Sequence, residues 1–195
     1  MQCAIDVPDG VDCCGACLVN PPAFDLSVAA VNYAAPWDEL IKRFKFRQQP
    51  GLAPALVERL VCALHEHPRA LQPPPDLVLP VPLSAERLRE RGYNQAWELA
   101  RRTARQLGLR AEAQLLLRMK NTPHQLGLDE SARQANLKGA FAVEPLRRHE
   151  TQGRSIAVVD DVLTTGATGQ ELARTLKQAG ASSVQIWVVA RTPKL

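Results

Sequence analysis

One stretch, residues 156–168, constrains the fold of this chain more than any other. It reads Ile-Ala-Val-Val-Asp-Asp-Val-Leu-Thr-Thr-Gly-Ala-Thr. Residues 156–159 are an unbroken apolar run, which predicts a strand buried on both faces of a parallel sheet. Apolar residues then recur with helical spacing over 172–179, and 184–190 is a second apolar strand. The stretch therefore predicts a βαβ unit whose turn lies at the carboxyl edge of the sheet, where open α/β sheets bind ligands.

The residues of this turn suit a sugar phosphate. Backbone N–H groups at a helix start bind phosphate, and Gly166 allows the backbone to approach it closely. Hydroxyl groups are supplied by Thr164, Thr165 and Thr168. Asp160 and Asp161 would repel a bare phosphate, so we expect them to bind the two hydroxyls of a ribose. The inferred ligand is ribose 5-phosphate.

A structural explanation covers only part of this stretch. Thr168 with Glu171 three residues later forms a capping box, which explains a threonine at a helix start. It does not explain two acids at the end of a buried strand followed by Thr-Thr-Gly.

The stretch resembles the binding signature for 5-phosphoribosyl 1-pyrophosphate (PRPP) in type I phosphoribosyltransferases. The resemblance implies a phosphoribosyltransferase type I fold, which is α/β with a mainly parallel sheet and flanking helices. It also implies that Asp160 and Asp161 contact the ribose and serve catalysis, and that Mg²⁺ accompanies PRPP. The 5-phosphate would be held by Thr164, Thr165, Gly166, Ala167 and Thr168.

The N-terminal residues form a cysteine-rich segment. Cys14-Gly-Ala-Cys17 has the spacing of a zinc knuckle, and Cys3 and Cys13 lie nearby. A structural zinc takes four ligands, and adjacent Cys13 and Cys14 are poorly placed to share one ion. The candidate Zn²⁺ ligands are therefore Cys3, Cys14 and Cys17. A reduced cluster without metal, or a site completed by another chain, remains an alternative.

The hydropathy of the chain indicates where the protein is located, and its charge indicates which kind of partner it binds. No apolar run approaches the roughly 20 residues of a membrane helix, and the first residues lack a basic segment, so we expect a cytoplasmic protein without membrane insertion. Residues 1–37 carry four acids and no Lys or Arg, which is a charge of −4. The rest of the chain therefore carries +8, since the net charge of the whole chain is +4. A basic body suits an anionic partner, which is PRPP, nucleic acid or both.

The segment after the cysteines is predicted to be helical. Trp37, Leu40, Ile41 and Phe44 form one apolar stripe, and Cys62 is predicted to be buried in a second helix. The basic residues lie mostly off the stripe; they are Lys42, Arg43, Lys45 and Arg47. They form either a solvated charged face over a core helix or a surface for single-stranded DNA.

A second strand, loop and helix follow from residue 76. Arg87, Arg89 and Arg91 lie after the strand, where they either neutralise a pyrophosphate or are ordinary surface arginines. A long polar segment, 118–136, is uncommon inside a compact domain and is predicted to be a lid over the site.

Nearly the whole chain resembles the competence protein F family, which is associated with DNA uptake in natural transformation. The matching segments are Cys14–Asp25, Leu40–Arg47, Pro80–Gln95 and Arg118–Phe141. The resemblance implies a pyrophosphate loop at Leu83, Ser84, Arg87 and Arg91, and lid residues Arg118, Gln125 and Arg133. That family usually has two Cys-x-x-Cys pairs, whereas Cys3 stands alone here, so we expect the natural protein to supply a cysteine upstream.

Three regions are predicted: a cysteine-rich module (1–25), a helical segment (26–72) and a phosphoribosyltransferase core (73–195). The expected function is transfer of the phosphoribosyl group of PRPP to an unidentified acceptor with release of pyrophosphate. The alternatives are a protein that senses PRPP without catalysis, and an accessory protein of the DNA-uptake machinery that binds single-stranded DNA.

Overall fold

A four-stranded parallel sheet is the centre of the protein. The computed structural model describes residues 3–5, 13–47, 49–120 and 136–193. The strands lie in the order β1-β6-β5-β2, and β3 and β4 form a separate antiparallel pair. Their bounds are β1 Leu26–Asn32, β2 Leu77–Pro80, β3 Leu116–Arg118, β4 Phe141–Val143, β5 Ser155–Leu163 and β6 Ser183–Arg191.

Helices cover both faces of the sheet. Side chains of α2, α3 and α5 pack on one face, and α6 packs on the other together with β3 and β4. The helices are α1 Gly15–Val19, α2 Trp37–Phe46, α3 Ala53–Glu66, α4 Ala85–Arg91, α5 Gln95–Leu107 and α6 Ala167–Gln178, with 3₁₀ turns at Pro50–Leu52 and Pro145–Thr151. The α/β class with a parallel sheet and flanking helices, predicted from the sequence, is confirmed.

Strand β5 is longer than the apolar run predicts. It continues through both acids to Leu163 and pairs with β6 along this length, with Asp160 opposite Val188. Its pairing with β2 ends earlier, at Pro80 opposite Val159: the Val81 N–H still donates to the Val159 carbonyl, and Pro82 then has no N–H to donate. The two acids therefore lie inside a strand, at a point where β2 has already ended.

The pleat of β5 divides its side chains between two apolar layers. Ile156 and Val158 pack in the layer beneath α6, whereas Ala157 and Val159 pack in the layer beneath α2, α3 and α5. Successive strand residues point to opposite faces. Asp160 therefore continues the side of Val158, and Asp161 continues the side of Val159.

Two expectations need correction. The segment 26–72, predicted to be helical, begins with β1, which pairs in parallel with β6 through contacts such as Val28 opposite Trp187. Cys62, predicted to be buried, is exposed on α3. The start of the predicted helical segment is thus part of the central sheet.

Across the described ranges, from residue 3 to residue 193 with their gaps, no helix combines the length and apolarity needed to cross a membrane.

Helix α2 provides a matched test of the packing. Phe44 is fully buried on the sheet, whereas Phe46 on the same helix is 65% exposed. We expect Phe44→Ala to lower the free energy of unfolding by about 3–5 kcal/mol, because it leaves a cavity. Phe46→Ala is expected to cost less than about 1 kcal/mol. Urea unfolding measures both, and equal losses would contradict this packing.

Candidate active site

The turn between β5 and α6 presents backbone N–H groups at the carboxyl edge of the sheet. Gly166 has φ 86° and ψ −4°, a left-handed conformation that favours glycine, and it is the N-cap of α6. The hydroxyl of Thr165 accepts a hydrogen bond from the Ala167 N–H at 3.4 Å. A Cβ at Gly166 would meet no atom within 4 Å, so its backbone conformation, rather than space, explains this glycine.

The capping-box interpretation of Thr168 is wrong. Helix α6 begins at Ala167, so Thr168 lies within its first turn. The carboxylate of Glu171 instead accepts a hydrogen bond from the Gly139 N–H at 2.6 Å. The hydroxyl of Thr168 is thus not required as a cap.

An open cleft lies beside this turn. Its polar wall consists of Asp160, Thr164, Gly166, Ala167 and Thr168. Its apolar wall consists of Val81, Val162, Leu163, Gly169, Leu172, Ile186 and Val188. The structure therefore brings one acid and most of the predicted phosphate turn into a single cleft.

The second acid lies on the other side of the strand. Asp161 is 3% exposed, and each of its carboxylate oxygens lies 2.8 Å from the Lys45 ammonium of α2. Burial acts to lower the pKa of Lys45, but the charges of Asp161 and Asp160 outweigh it, so that this pKa is raised. Lys45 therefore remains protonated and forms a buried ion pair with Asp161.

Asp160 is electrostatically different from its neighbour. Burial, followed by repulsion from the Asp161 carboxylate, raises the pKa of Asp160 to about 7, against the opposing effect of Lys45. Its carboxylate accepts a hydrogen bond from the Asp161 N–H at 2.9 Å. This carboxyl group changes charge near neutral pH and faces the cleft.

The charges of Arg91 and Arg118 interact with those of the acids. Arg91 lies on α4, where it donates a hydrogen bond to Gln95 and lies over the ring of Phe46 at 5.3 Å. Burial lowers the pKa of Arg91, and the charges of Asp161 and Asp160 oppose this effect. Burial also lowers the pKa of Arg118, reinforced by Arg87 and opposed by Asp160.

The predicted pyrophosphate loop leads into α4. Ser84 is the N-cap of this helix and accepts a hydrogen bond from the Arg87 N–H, and Leu83 precedes it. The side chain of Asn94 donates to the Val81 carbonyl at 3.1 Å and caps α5, which ties the loop to that helix. Of the predicted lid residues, Gln125 and Arg133 lie outside the described residues.

Two site residues were missed in the sequence. Lys45 was assigned to a charged face, although its position four residues after Ile41 places it beside the buried stripe. Arg191, at the end of β6, is 3% exposed and donates hydrogen bonds to the carbonyls of Leu163, Thr164 and Cys3. A charged residue at the end of an apolar strand was the available signal for Arg191.

The three predicted metal ligands lie together. The sulfur atoms of Cys3, Cys14 and Cys17 are within 4.8 Å of one another, and those of Cys3 and Cys14 are 3.3 Å apart. This spacing fits three thiolates on one tetrahedral Zn²⁺, which needs a fourth ligand. The structure thus brings the three cysteines together as the sequence predicts.

The chain is similar to several proteins named for competence or DNA utilization. It is 37% identical to competence protein F of Haemophilus influenzae over 179 residues, which cover 91% of this chain and 78% of that protein. It is 35% identical to DNA utilization protein YhgH of Escherichia coli over 192 residues, covering 98% and 83%. Identity to competence protein ComFC of Bacillus subtilis is 29% over 156 residues, covering 79% and 59%. No protein-family model matches the chain.

Solved structures with similar folds include phosphoribosyltransferases. Glutamine PRPP amidotransferase from B. subtilis is 17% identical, with a TM-score of 0.49 over 76% of this chain and 30% of that chain. Adenine phosphoribosyltransferase from Leishmania tarentolae is 16% identical, with a TM-score of 0.41 over 74% and 58%.

Because its pKa is raised, we expect Asp160 to lower the stability of the protein above neutral pH. The folded protein holds the Asp160 proton more tightly than the unfolded chain does, so stability is full below the ordinary pKa of 3.8 and is lost as the pH rises through about 7. We expect Asp160→Asn to be more stable than the wild type in urea at pH 8, with a smaller gain at pH 5. Asp76→Asn, at the other end of the sheet, is the control. If the gain in stability of Asp160→Asn does not increase with pH, that result would contradict the raised pKa of Asp160.

The conformation of Gly166 allows a second test. Gly108, the C-cap of α5, also has a positive φ (67°) and open space for a Cβ. Gly166→Ala and Gly108→Ala are therefore both expected to cost about 1–2 kcal/mol of stability. We expect only Gly166→Ala to weaken binding of ribose 5-phosphate, several-fold, in calorimetry. An equal loss of affinity in both variants would show that the turn around Gly166 is not part of the binding site.

Proposed function

Since the chain belongs to the competence protein F family, we propose that it binds PRPP with Mg²⁺ and transfers its phosphoribosyl group to an unidentified acceptor. The observation that carries this proposal is the single cleft that joins Asp160 to the turn around Gly166. A phosphate on the turn N–H groups leaves the attached ribose beside the Asp160 carboxylate. The names of the relatives refer to competence and to DNA utilization, and we further propose that this activity serves DNA uptake.

The charges around the cleft support displacement of pyrophosphate. In that reaction the acceptor forms a bond to the anomeric carbon, and the bond to pyrophosphate breaks with the electron pair leaving on oxygen. The ribose gains positive oxocarbenium character, which the Asp160 carboxylate favours more strongly than it favours the ground state. Arg87 and Arg91 are the cations that would face the departing pyrophosphate.

Mg²⁺ and Zn²⁺ have different roles in the proposed function. Mg²⁺ prefers phosphate oxygens with few protein ligands, so it would enter with PRPP and neutralise pyrophosphate charge. Zn²⁺ would be held by Cys3, Cys14 and Cys17 and would order the cysteine segment.

The structure offers less to single-stranded DNA than the charge of α2 suggests. Each of the four basic residues between positions 42 and 47 has a partner. Three form ion pairs, Lys42 with Asp38, Lys45 with Asp161 and Arg47 with Glu39, and Arg43 donates a hydrogen bond to Gln49. Lys45 is part of the acid site rather than of an exposed surface. We therefore favour the PRPP site over the helix as the functional centre.

Release of labelled pyrophosphate from PRPP tests the proposal. The wild type is expected to release pyrophosphate when Mg²⁺ and a small-molecule cell extract are both present. Asp160→Asn is expected to lower release at least tenfold, because a hydrogen bond to a charged group contributes about 1.5–3 kcal/mol. Asp76→Asn, which removes a carboxylate at the opposite edge of the sheet, is the matched control.

The outcomes separate the candidate roles. Release that requires the extract and Asp160 supports a transferase and allows the acceptor to be purified. Binding of PRPP without release from any fraction would instead support a protein that senses PRPP. Absence of PRPP binding in calorimetry would contradict the proposal.

A further inference from the structure

Arg191 connects the cysteine-rich module (residues 1–25) to the start of the turn around Gly166. Its guanidinium is buried and donates hydrogen bonds to the carbonyls of Leu163 and Thr164, the two residues that lead into this turn. The Nε atom of the same guanidinium donates to the Cys3 carbonyl at 2.9 Å. Because the donors of a guanidinium form a rigid fork, a shift of the Cys3 carbonyl would alter the hydrogen bonds to the other two carbonyls.

The same module also contacts the other side of this turn, at the start of helix α6. The Ala23 N–H donates a hydrogen bond to the Gln170 side chain at 2.6 Å. The ring of Phe24 is buried so close to Gly169 that a Cβ added to this glycine would lie 3.4 Å from it. Both residues of α6 belong to its first turn. Contacts from the cysteine-rich module therefore lie on both sides of the turn around Gly166.

The three clustered cysteines connect these two sets of contacts. Cys3 supplies the carbonyl that accepts from Arg191, and its sulfur lies 3.3 Å from that of Cys14 at the N-cap of α1. Helix α1 also carries Cys17, and a short segment with two prolines, whose φ angles are fixed, leads from it to Ala23. A metal ion held by the three sulfurs would tie the Arg191 contact to the contacts with α6.

We infer that the cysteine-rich module is a metal-dependent brace for the turn around Gly166, with Arg191 as its positioning residue. With Zn²⁺ bound, the module fixes both sides of the turn, and with them the N–H groups proposed to bind the 5-phosphate. A turn that is already ordered loses less conformational freedom when the phosphate binds, so Zn²⁺ raises the affinity for the phosphate ligand. This inference rests on the proposed binding of PRPP and on the proposed Zn²⁺ site.

The position of Cys3 depends on its contacts rather than on local backbone preference. Ala4, the next residue, has φ 52°, a left-handed conformation that is unfavourable for alanine. Thiol groups are weak hydrogen-bond donors and acceptors, so the contact between the Cys3 and Cys14 sulfurs holds the chain only weakly without an ion. Binding of a structural Zn²⁺, in contrast, contributes directly to folding of the segment that it joins. We therefore expect the brace to loosen when the metal is removed.

Binding of ribose 5-phosphate, in the absence of Mg²⁺, tests the inference on the wild-type chain with and without Zn²⁺. The metal-free protein is prepared with a chelator and gel filtration, and circular dichroism checks that it is folded. We expect calorimetry to give an affinity about tenfold lower for the metal-free protein than for the protein loaded with one Zn²⁺. Because such coupling is reciprocal, saturating ribose 5-phosphate is expected to tighten Zn²⁺ binding by the same factor.

Two variants test whether the coupling passes through the contacts described above. Arg191→Lys keeps the charge but loses the fork of donors, and Gln170→Ala removes the acceptor of the Ala23 N–H. Each is expected to reduce the affinity ratio between Zn²⁺-loaded and metal-free protein from about tenfold to less than about threefold. Gln170 is only partly buried, so Gln170→Ala still tests the coupling if Arg191→Lys does not fold.

Gln178→Ala is the matched control. It removes an exposed glutamine from the other end of α6, away from the turn around Gly166. We expect its affinity ratio to equal that of the wild type. An equal fall of the ratio in Gln170→Ala and Gln178→Ala would assign the effect to the helix as a whole and overturn the inference.

The remaining outcomes separate the inference from the proposed function. Equal affinity for ribose 5-phosphate with and without Zn²⁺ would overturn the inference and leave the proposed function standing. Failure of the chain to bind Zn²⁺, or a tenfold ratio that persists in the folded variants, would also overturn it. If neither form of the wild type binds ribose 5-phosphate, the proposed function fails first and the inference falls with it.

Discussion

The alternation of side chains along β5 is the constraint on which the site depends. Because β5 stays paired with β6 as far as Leu163, Asp160 and Asp161 are neighbouring residues of a strand and face opposite layers. Had the strand ended at Val159, both acids would lie in a turn and their carboxylates would be free to converge on one ligand. The length of β5 thus decides that the two acids have different surroundings.

A cation from the helices over the sheet, Lys45 of α2, compensates for the burial of the Asp161 carboxylate. An unpaired carboxylate at 3% exposure would lose several kcal/mol of solvation, so the fold requires a cation at that point. Lys45 reaches it only because Phe44 anchors α2 on the sheet and Tyr93 and Gln95 hold its end. The electrostatics of the cleft therefore depend on apolar packing on the opposite face.

Local patterns in the sequence predicted the βαβ unit and its glycine turn, because a buried strand, a glycine turn and an amphipathic helix are each encoded within a few residues. The sequence did not predict β1, since Ser27 and the small residues of that segment lack the continuous apolar pattern of β5. It also did not predict the partner of Asp161, which is 116 residues away along the chain. Such a contact follows from the packing of α2, which no local pattern specifies.

Arg191 joins the cysteine segment to the turn that follows β5. Its guanidinium donates hydrogen bonds to the carbonyls of Leu163 and Thr164, where this turn begins, and also to that of Cys3, 188 residues earlier. A buried guanidinium is held by the acceptors around it, so the position of each carbonyl affects the others. The cysteine segment therefore contributes to the geometry of the turn after β5, because its backbone supplies one of the acceptors that hold Arg191 in place.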